Sequence, residues 1–143
     1  MSDMKKYLGV KMIAAVPAVR INGINYTKSE AKPRSMKQED GYRVVYDDGY
    51  TSWSPKETFE KAYRLIDSMT FGLALEALKQ GKKVCRAGWN GKGMYVEYNG
   101  DMFLGKKEVK EFLLIKTVNG TFNTWVPSIS DLFAEDWMVI END

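Results

Sequence analysis

The sequence predicts an α+β fold in two parts: a small, mainly antiparallel sheet packed by helices, preceded by an N-terminal hairpin and helix. Three observations carry that prediction. Runs of period-two alternation, which place successive side chains on opposite faces of a strand, cluster at residues 41–53 and again after residue 83. Two stretches, 59–66 and 71–78, instead repeat apolar residues at the three-and-four spacing of one helix face. Glycine turns at Asp48-Gly49 and Asn119-Gly120 join pairs of the alternating runs, which makes neighbours antiparallel.

Taken in order, residues 5–19 are apolar and partly β-branched, and Pro17, which has no N–H to give a ladder, points to an edge strand or a strand end. Residues 21–40, with Asn22-Gly23, Pro33 and scattered lysines, read as loop or irregular structure. Residues 41–46 make a strand, Asp47-Asp48-Gly49 the turn, and residues 50–53 the return strand. Ser54-Pro55-Lys56-Glu57 then predicts a helix start: a serine N-cap, a proline in the first turn, and a glutamate able to close a capping box. Phe59, Ala62, Tyr63 and Ile66 give this helix an apolar face for the hairpin. A second helix, capped by Ser68 or Thr70 and closed by Gly81, carries Phe71, Ala74, Leu75 and Leu78 on one side. It opens the second part, so the expected units are 1–68 and 69–143. Strands follow at 83–86, 93–98, 111–118, 121–126 and 137–141, with a type I′ turn expected at Asn119-Gly120 and a single helical turn within 128–136.

Composition removes several functions. With 143 residues, 44% apolar and 28% charged, the chain is long enough for one domain or two very small ones. Its 21 basic and 19 acidic residues leave a net charge of +2, which offers no footprint for duplex nucleic acid or a membrane surface. There is no histidine. The commonest general base near neutral pH and the commonest zinc ligand are therefore both missing, so no catalytic residue, metal or cofactor is expected. The single cysteine, Cys85, has no internal partner and reads as a small core hydrophobe. With no signal-peptide pattern, a cytosolic location is expected.

The stretch around Trp89 offers the first candidate site. Asn90-Gly91-Lys92-Gly93 imitates a phosphate loop but lacks the serine or threonine and the helix a Walker loop needs; anion binding by exposed N–H groups stays open. Trp89 itself either plugs the core or offers a face to a ligand. Arg86 is either a phosphate-binding fork or half of a surface ion pair. Alternation in 121–126 places Trp125 beside Thr121 and Asn123, polar company that suits base stacking or a subunit interface. Ser128, Ser130 and Asp131 either cap the short helix or hold phosphate and ribose oxygens. Glu135-Asp136 reads as solvated charge.

Three motifs together say more than each does alone. F-x-x-A-L-x-x-L-K-x-G-K-K-V from Phe71, G-W-N-G-K-G from Gly88, and L-x-A-E-D-W from Leu132 resemble the Thoeris anti-defence family of the second type, over essentially all of residues 69–143. Residues 48–64 resemble an accessory segment common in phage and prophage proteins. The family resemblance implies a sponge: a homotetramer, acting in the cytoplasm of an infected bacterium. It would bind a glycocyclic ADP-ribose signal, and in some members a cyclic dinucleotide, without cleaving it. It further implies Trp89 and Trp125 as two halves of a stacking clamp, Phe71 as a third aromatic, and Asn90, Ser128, Ser130 and Asp131 as polar ligands. Cys85 stands where small residues are usual, and the insert 98–109 matches no pattern. Two rival readings remain: a single-strand nucleic-acid binder using Trp53, Trp89 and Trp125, and an enzyme that degrades the signal.

Overall fold

The computed structural model describes residues 4–33, 37–101 and 103–141. The α+β class holds, with antiparallel sheets and three helices among the described residues. The chain divides between Tyr63 and Arg64 into two compact units.

The first unit is a four-stranded antiparallel sheet with one helix. Its strands are β1 (Ala14–Ile21), β2 (Ile24–Thr27), β3 (Glu39–Val45) and β4 (Thr51–Pro55), in the order β2-β1-β3-β4. The stretch expected to be irregular therefore contains a strand. Asn22 and Gly23 have φ of 53° and 77°, the double left-handed conformation of a two-residue type I′ hairpin, which pairs Ile21 with Ile24. Residues 34–36, in the same stretch, lie outside the described residues. Pro17 sits in a central strand, contrary to expectation. The strand tolerates it because β2 pairs only with Ala18–Ile21, so at Pro17 the chain has β3 on one side and, among the described residues, no strand on the other. Gly41 is required by close approach: a Cβ there would collide with the Trp53 indole and the Ser54 carbonyl.

Helix α1 (Lys56–Ala62) follows β4 directly. The expected serine cap and capping box are absent; Pro55 ends the strand and occupies the N-cap position, with no side-chain hydrogen bond. What holds the helix is tertiary. Phe59 stacks on Tyr42 at 4.1 Å and on Tyr63 at 4.9 Å, and the Tyr42 hydroxyl donates to Glu60 at 2.7 Å. Ile66, expected on the same face, belongs to the second unit.

That second unit begins five residues before the expected boundary for a backbone reason. Val139 N–H donates to Ile66 C=O, and Met69 and Trp137 exchange both main-chain bonds, so residues 66–69 run along one edge of the last strand. Helix α2 (Phe71–Lys79) is capped by Thr70, whose hydroxyl accepts from Leu73 N–H. It closes in a Schellman motif, with Lys82 N–H bonding Ala77 C=O, Gly81 N–H bonding Leu78 C=O, and Gly81 at φ 87°. Its buried face is Phe71, Ala74, Ala77 and Leu78, while Leu75 is half-exposed.

Strands β5 (Lys83–Arg86), β6 (Tyr95–Asn99), β7 (Phe103–Leu104), β8 (Lys107–Glu108), β9 (Phe112–Lys116) and β10 (Phe122–Trp125), helix α3 (Ile129–Phe133) and strand β11 (Trp137–Ile140) complete the unit. Five of these strands form an antiparallel sheet in the order β10-β9-β6-β5-β11, while β7 and β8 make a small hairpin inside the unmatched insert. Residue 102, also in the insert, lies outside the described residues. The β9–β10 turn differs from the type I′ expected. Asn119 keeps negative φ and only Gly120 (φ 89°) is left-handed, with Gly120 N–H bonding Thr117 C=O and Thr117 N–H bonding Thr121 C=O. That is a three-residue loop, a tight turn followed by a glycine bulge.

Helix α2 covers one face of the sheet, closing a core of Met69, Phe71, Ala74, Ala77, Leu78, Val84, Val96, Trp137 and Val139. The sheet is curled. Trp125 on one edge strand and Trp137 on the other, four places apart in the order, bring their rings within 6.0 Å. Leu78 is fully buried at the middle of this core. Replacing it by alanine is expected to cost about 2–5 kcal/mol in urea unfolding, against a smaller loss for Leu75→Ala; equal losses would show that the helix is not oriented as described.

Candidate functional site

Four aromatic rings gather where α2, the loop after β5, β10 and β11 converge. Trp137 is their centre and is wholly buried. Its ring lies 5.4 Å from Phe71, 5.4 Å from Trp89 and 6.0 Å from Trp125. Trp125 in turn lies 6.3 Å from Phe71 and 6.2 Å from Trp89. The three tryptophan pairs have the edge-to-face geometry that ring quadrupoles favour, and the two pairs with Phe71 are tilted by 52° and 60°. Phe71 and Trp137 make a buried floor. Trp89 and Trp125 stand on it half-buried, each keeping part of its surface outward. Their planes meet at 72°, so within one chain they form a corner and not the two parallel halves of a clamp.

Behind the rings lies a polar network built on α3. Ser128 caps that helix in a full capping box: its hydroxyl accepts from Asp131 N–H at 3.1 Å, and Asp131 Oδ2 accepts from Ser128 N–H at 3.0 Å. The other carboxylate oxygen, Oδ1, accepts from Arg86 Nη1 at 3.0 Å and from Trp89 Nε1 at 3.4 Å. Asp131 is buried, and its own carbonyl accepts from Trp137 Nε1 at 2.9 Å. Asp136 completes the network. Its Oδ1 accepts from Arg86 Nε at 2.9 Å, its Oδ2 from Gly88 N–H at 2.8 Å, and its carbonyl from Ala87 N–H at 3.1 Å. The turn that carries Trp89 is thus pinned at Ala87, Gly88 and the indole nitrogen.

These contacts set the charges. Burial opposes ionisation of Asp131, but the Ser128 N–H, the Arg86 guanidinium, the Ser128 hydroxyl and the Trp89 N–H outweigh it and hold its carboxyl below the ordinary range. The Arg86 guanidinium, with help from Gly88 N–H, does the same for Asp136. Arg86 is raised in return by Asp136 and Asp131. The Cys85 thiol is pushed up by burial and by the Asp136 charge, so it stays protonated; it is half-buried and free, short of the full core position expected.

The structure therefore sorts the candidate residues. It brings together Phe71, Arg86, Trp89, Trp125, Ser128 and Asp131. Ser128 and Asp131 are a helix cap and its anchor, and Arg86 is the centre of two ion pairs, with a side chain only 21% exposed. Asn90 and Ser130 are exposed, and their side chains make no hydrogen bond among the described residues. Gly91 is needed for packing, since a Cβ there would run into Met94 and Val118; the space it leaves is filled by protein. Sequence reasoning missed Trp137 and Asp136. The alternation of Trp137 with buried Val139 was the available signal for the first. For the second nothing local distinguishes it from Glu135, which pairs outward with Arg64 at 2.6 Å. Among the described residues no group of acidic or cysteine side chains could hold a metal, and no helix is long and apolar enough to cross a membrane.

Comparison with known proteins falls on this unit. Residues 69–140 match the family model of the Thoeris anti-defense 2-like domain. A curated relative, Thoeris anti-defense 2 of Bacillus phage SP01, is 36% identical over 84 residues, covering 50% of this chain and 94% of the phage protein.

Asp131→Asn keeps the shape of the anchor and removes its charge. It is expected to lower stability by about 1–3 kcal/mol at neutral pH. Because both aspartates have depressed pKa values, the native advantage is present above the ordinary carboxylate range, about pH 4, and is lost as pH falls through the lowered values. Thermal midpoints of wild type and variant should therefore converge in acid. Parallel curves from pH 7 to pH 2 would remove Asp131 from its assigned role.

Proposed function

The chain belongs to the Thoeris anti-defense 2-like family, and from that premise we propose that it is a phage anti-defence protein that sequesters a cyclic nucleotide immune signal, of the glycocyclic ADP-ribose or cyclic dinucleotide type, without cleaving it. The observation that carries this reading is the aromatic corner. Trp89 and Trp125 present indole surface above a floor formed by the buried rings of Trp137 and Phe71. A base stacked on such a surface gains about 1–3 kcal/mol. Binding through pre-placed rings needs no nucleophile and no general base, which agrees with a chain that lacks histidine and has its cysteine held as a thiol. In the cell, such a protein works in the cytoplasm of the infected host.

A corner leaves one side of the ligand uncovered. Helix α3 supports a homo-oligomer, in the family's manner a tetramer, as the means of covering it. The helix is inside out, burying Asp131 while Ile129, Leu132 and Phe133 face outward beside Val126; Ile129 is 76%, Phe133 82% and Val126 84% exposed. These residues flank Ser128 and Ser130, so a second copy seated on them would stand next to the corner and bring its own groups to the ligand.

The purified protein incubated with glycocyclic ADP-ribose isomers and cyclic dinucleotides is expected to remove at least one from the filtrate and to return it intact after heat denaturation. A cleaved product would make it an enzyme; depletion of single-stranded oligonucleotides alone would make it a nucleic-acid binder. Trp125→Ala is expected to weaken capture by about 1–3 kcal/mol with the far-ultraviolet dichroism unchanged. Undiminished capture by this variant would move the ligand away from the corner.

A further inference from the structure

We propose that Asn90 is a site of self-modification, losing its side-chain amide to attack by the Gly91 nitrogen and leaving a carboxylate on the loop that carries Trp89. An asparagine followed by glycine is open to this chemistry, because the glycine nitrogen approaches the asparagine carbonyl with no side chain of its own in the way. The nitrogen attacks the Asn90 side-chain carbonyl carbon and forms a C–N bond, the bond to the side-chain nitrogen breaks, and ammonia leaves carrying the proton of the Gly91 N–H. Water then opens the five-membered ring at either carbonyl, giving aspartate or its backbone-shifted isomer. Water is consumed, ammonia is released, and no oxidation state changes.

Four of the chain's seven asparagines precede a glycine, at 22, 90, 99 and 119, so the dipeptide alone does not choose among them. Their surroundings do. Ring closure needs a free asparagine side chain and a peptide beyond it that can rotate. Asn119 has neither: its side-chain oxygen accepts from the hydroxyls of Thr117 and Thr121, and Gly120 N–H is bonded to Thr117 C=O. Asn99 ends β6 in register with Phe112, and its side-chain oxygen accepts from Asp101 N–H at 3.3 Å. Asn22 and Gly23 are the two central residues of the hairpin closed by Ile21 and Ile24, so rotating their peptide would undo that turn. Asn90 differs from all three. It is exposed in the bend between β5 and β6, and neither its side chain nor the main-chain groups of Asn90 and Gly91 make a hydrogen bond among the described residues. Gly91 packs through its Cα against Met94 and Val118, and the peptide plane between residues 90 and 91 can turn with that Cα in place.

The product matters because of where its charge falls. Next to Asn90 in the chain, Gly88 N–H is held by Asp136 and the Trp89 indole N–H by Asp131, in a network of two carboxylates and one guanidinium. A further carboxylate at residue 90 opposes an anionic ligand on the Trp89 surface. This consequence rests on the nucleotide-binding reading; the modification itself does not.

The full chain would be kept in mildly alkaline buffer, folded and in urea, and mapped at intervals by peptide mass spectrometry and enzymatic methylation of isoaspartate. In the folded chain, conversion at Asn90 is expected to run about tenfold or more ahead of residues 22, 99 and 119, whose hydrogen bonds or turn must first open; in urea the four rates are expected to draw together. Asn90→Gln, whose longer side chain closes its ring slowly, is expected to remove most of the ammonia released by the folded chain. Folded-chain rates that are equal, or fastest at another of the four sites, or no conversion at Asn90, would overturn the proposal. Asn90→Asp, titrated with glycocyclic ADP-ribose by calorimetry, is expected to bind about fivefold or more weakly than wild type at low salt and closer to it at high salt. Equal affinities would overturn the consequence for capture and leave the modification standing. A wild type that binds no cyclic nucleotide removes the nucleotide reading, and the mass map then decides the proposal alone.

Discussion

A carboxylate withdrawn from water has to find its hydrogen bonds inside the protein, and the one at Asp131 finds them on three different pieces of chain. Ser128 N–H comes from its own helix, Arg86 from β5, and Trp89 from the loop beyond. The main-chain carbonyl of the same residue receives the indole N–H of Trp137 at the start of β11. Helix α3 has five residues and could not persist alone, since so short a helix cannot repay the cost of its first turn. It exists because residue 131 ties it down at both ends of one amino acid. The aromatic corner stands where it does for the same reason.

Much of the fold was legible before any coordinates. Period-two alternation located β5 to the residue and the other long strands of the second unit closely, and the Thr70 and Gly81 signals bounded α2. Misreadings came where one local signal has two solutions. Asn-Gly occurs twice; at residues 22–23 it makes the two-residue type I′ hairpin, and at 119–120 the longer bulged loop. The difference lies in the length of chain that the flanking pairings leave free, a tertiary quantity. Ser54-Pro55 was read as a cap, but pairing of Gly41 with Pro55 extends β4 through both residues and uses them as strand.

The site was legible in its residues and not in their roles. Trp89, Trp125, Phe71, Arg86 and Asp131 do meet, through contacts between residues up to 54 apart that periodicity cannot bridge. Arg86 stayed open between a phosphate-binding fork and half of an ion pair because its two partners lie 45 and 50 residues away. Trp125 has polar strand neighbours, and it is half-buried because curling of the sheet carries its edge strand back toward β11. Burial at an edge depends on curvature, and curvature is not written in an alternation pattern.

The sharing of Asp131 has an evolutionary consequence. Arg86, Asp131 and Asp136 satisfy one another, so a substitution at any one strands a charge on the others, and a drifting lineage can cross that gap only by compensated steps. Asn90, Lys92, Ser130 and the β7–β8 hairpin carry no such mutual obligation among the described residues. Change in this domain would thus run through those exposed positions, one at a time, while the wiring beneath them stays as inherited.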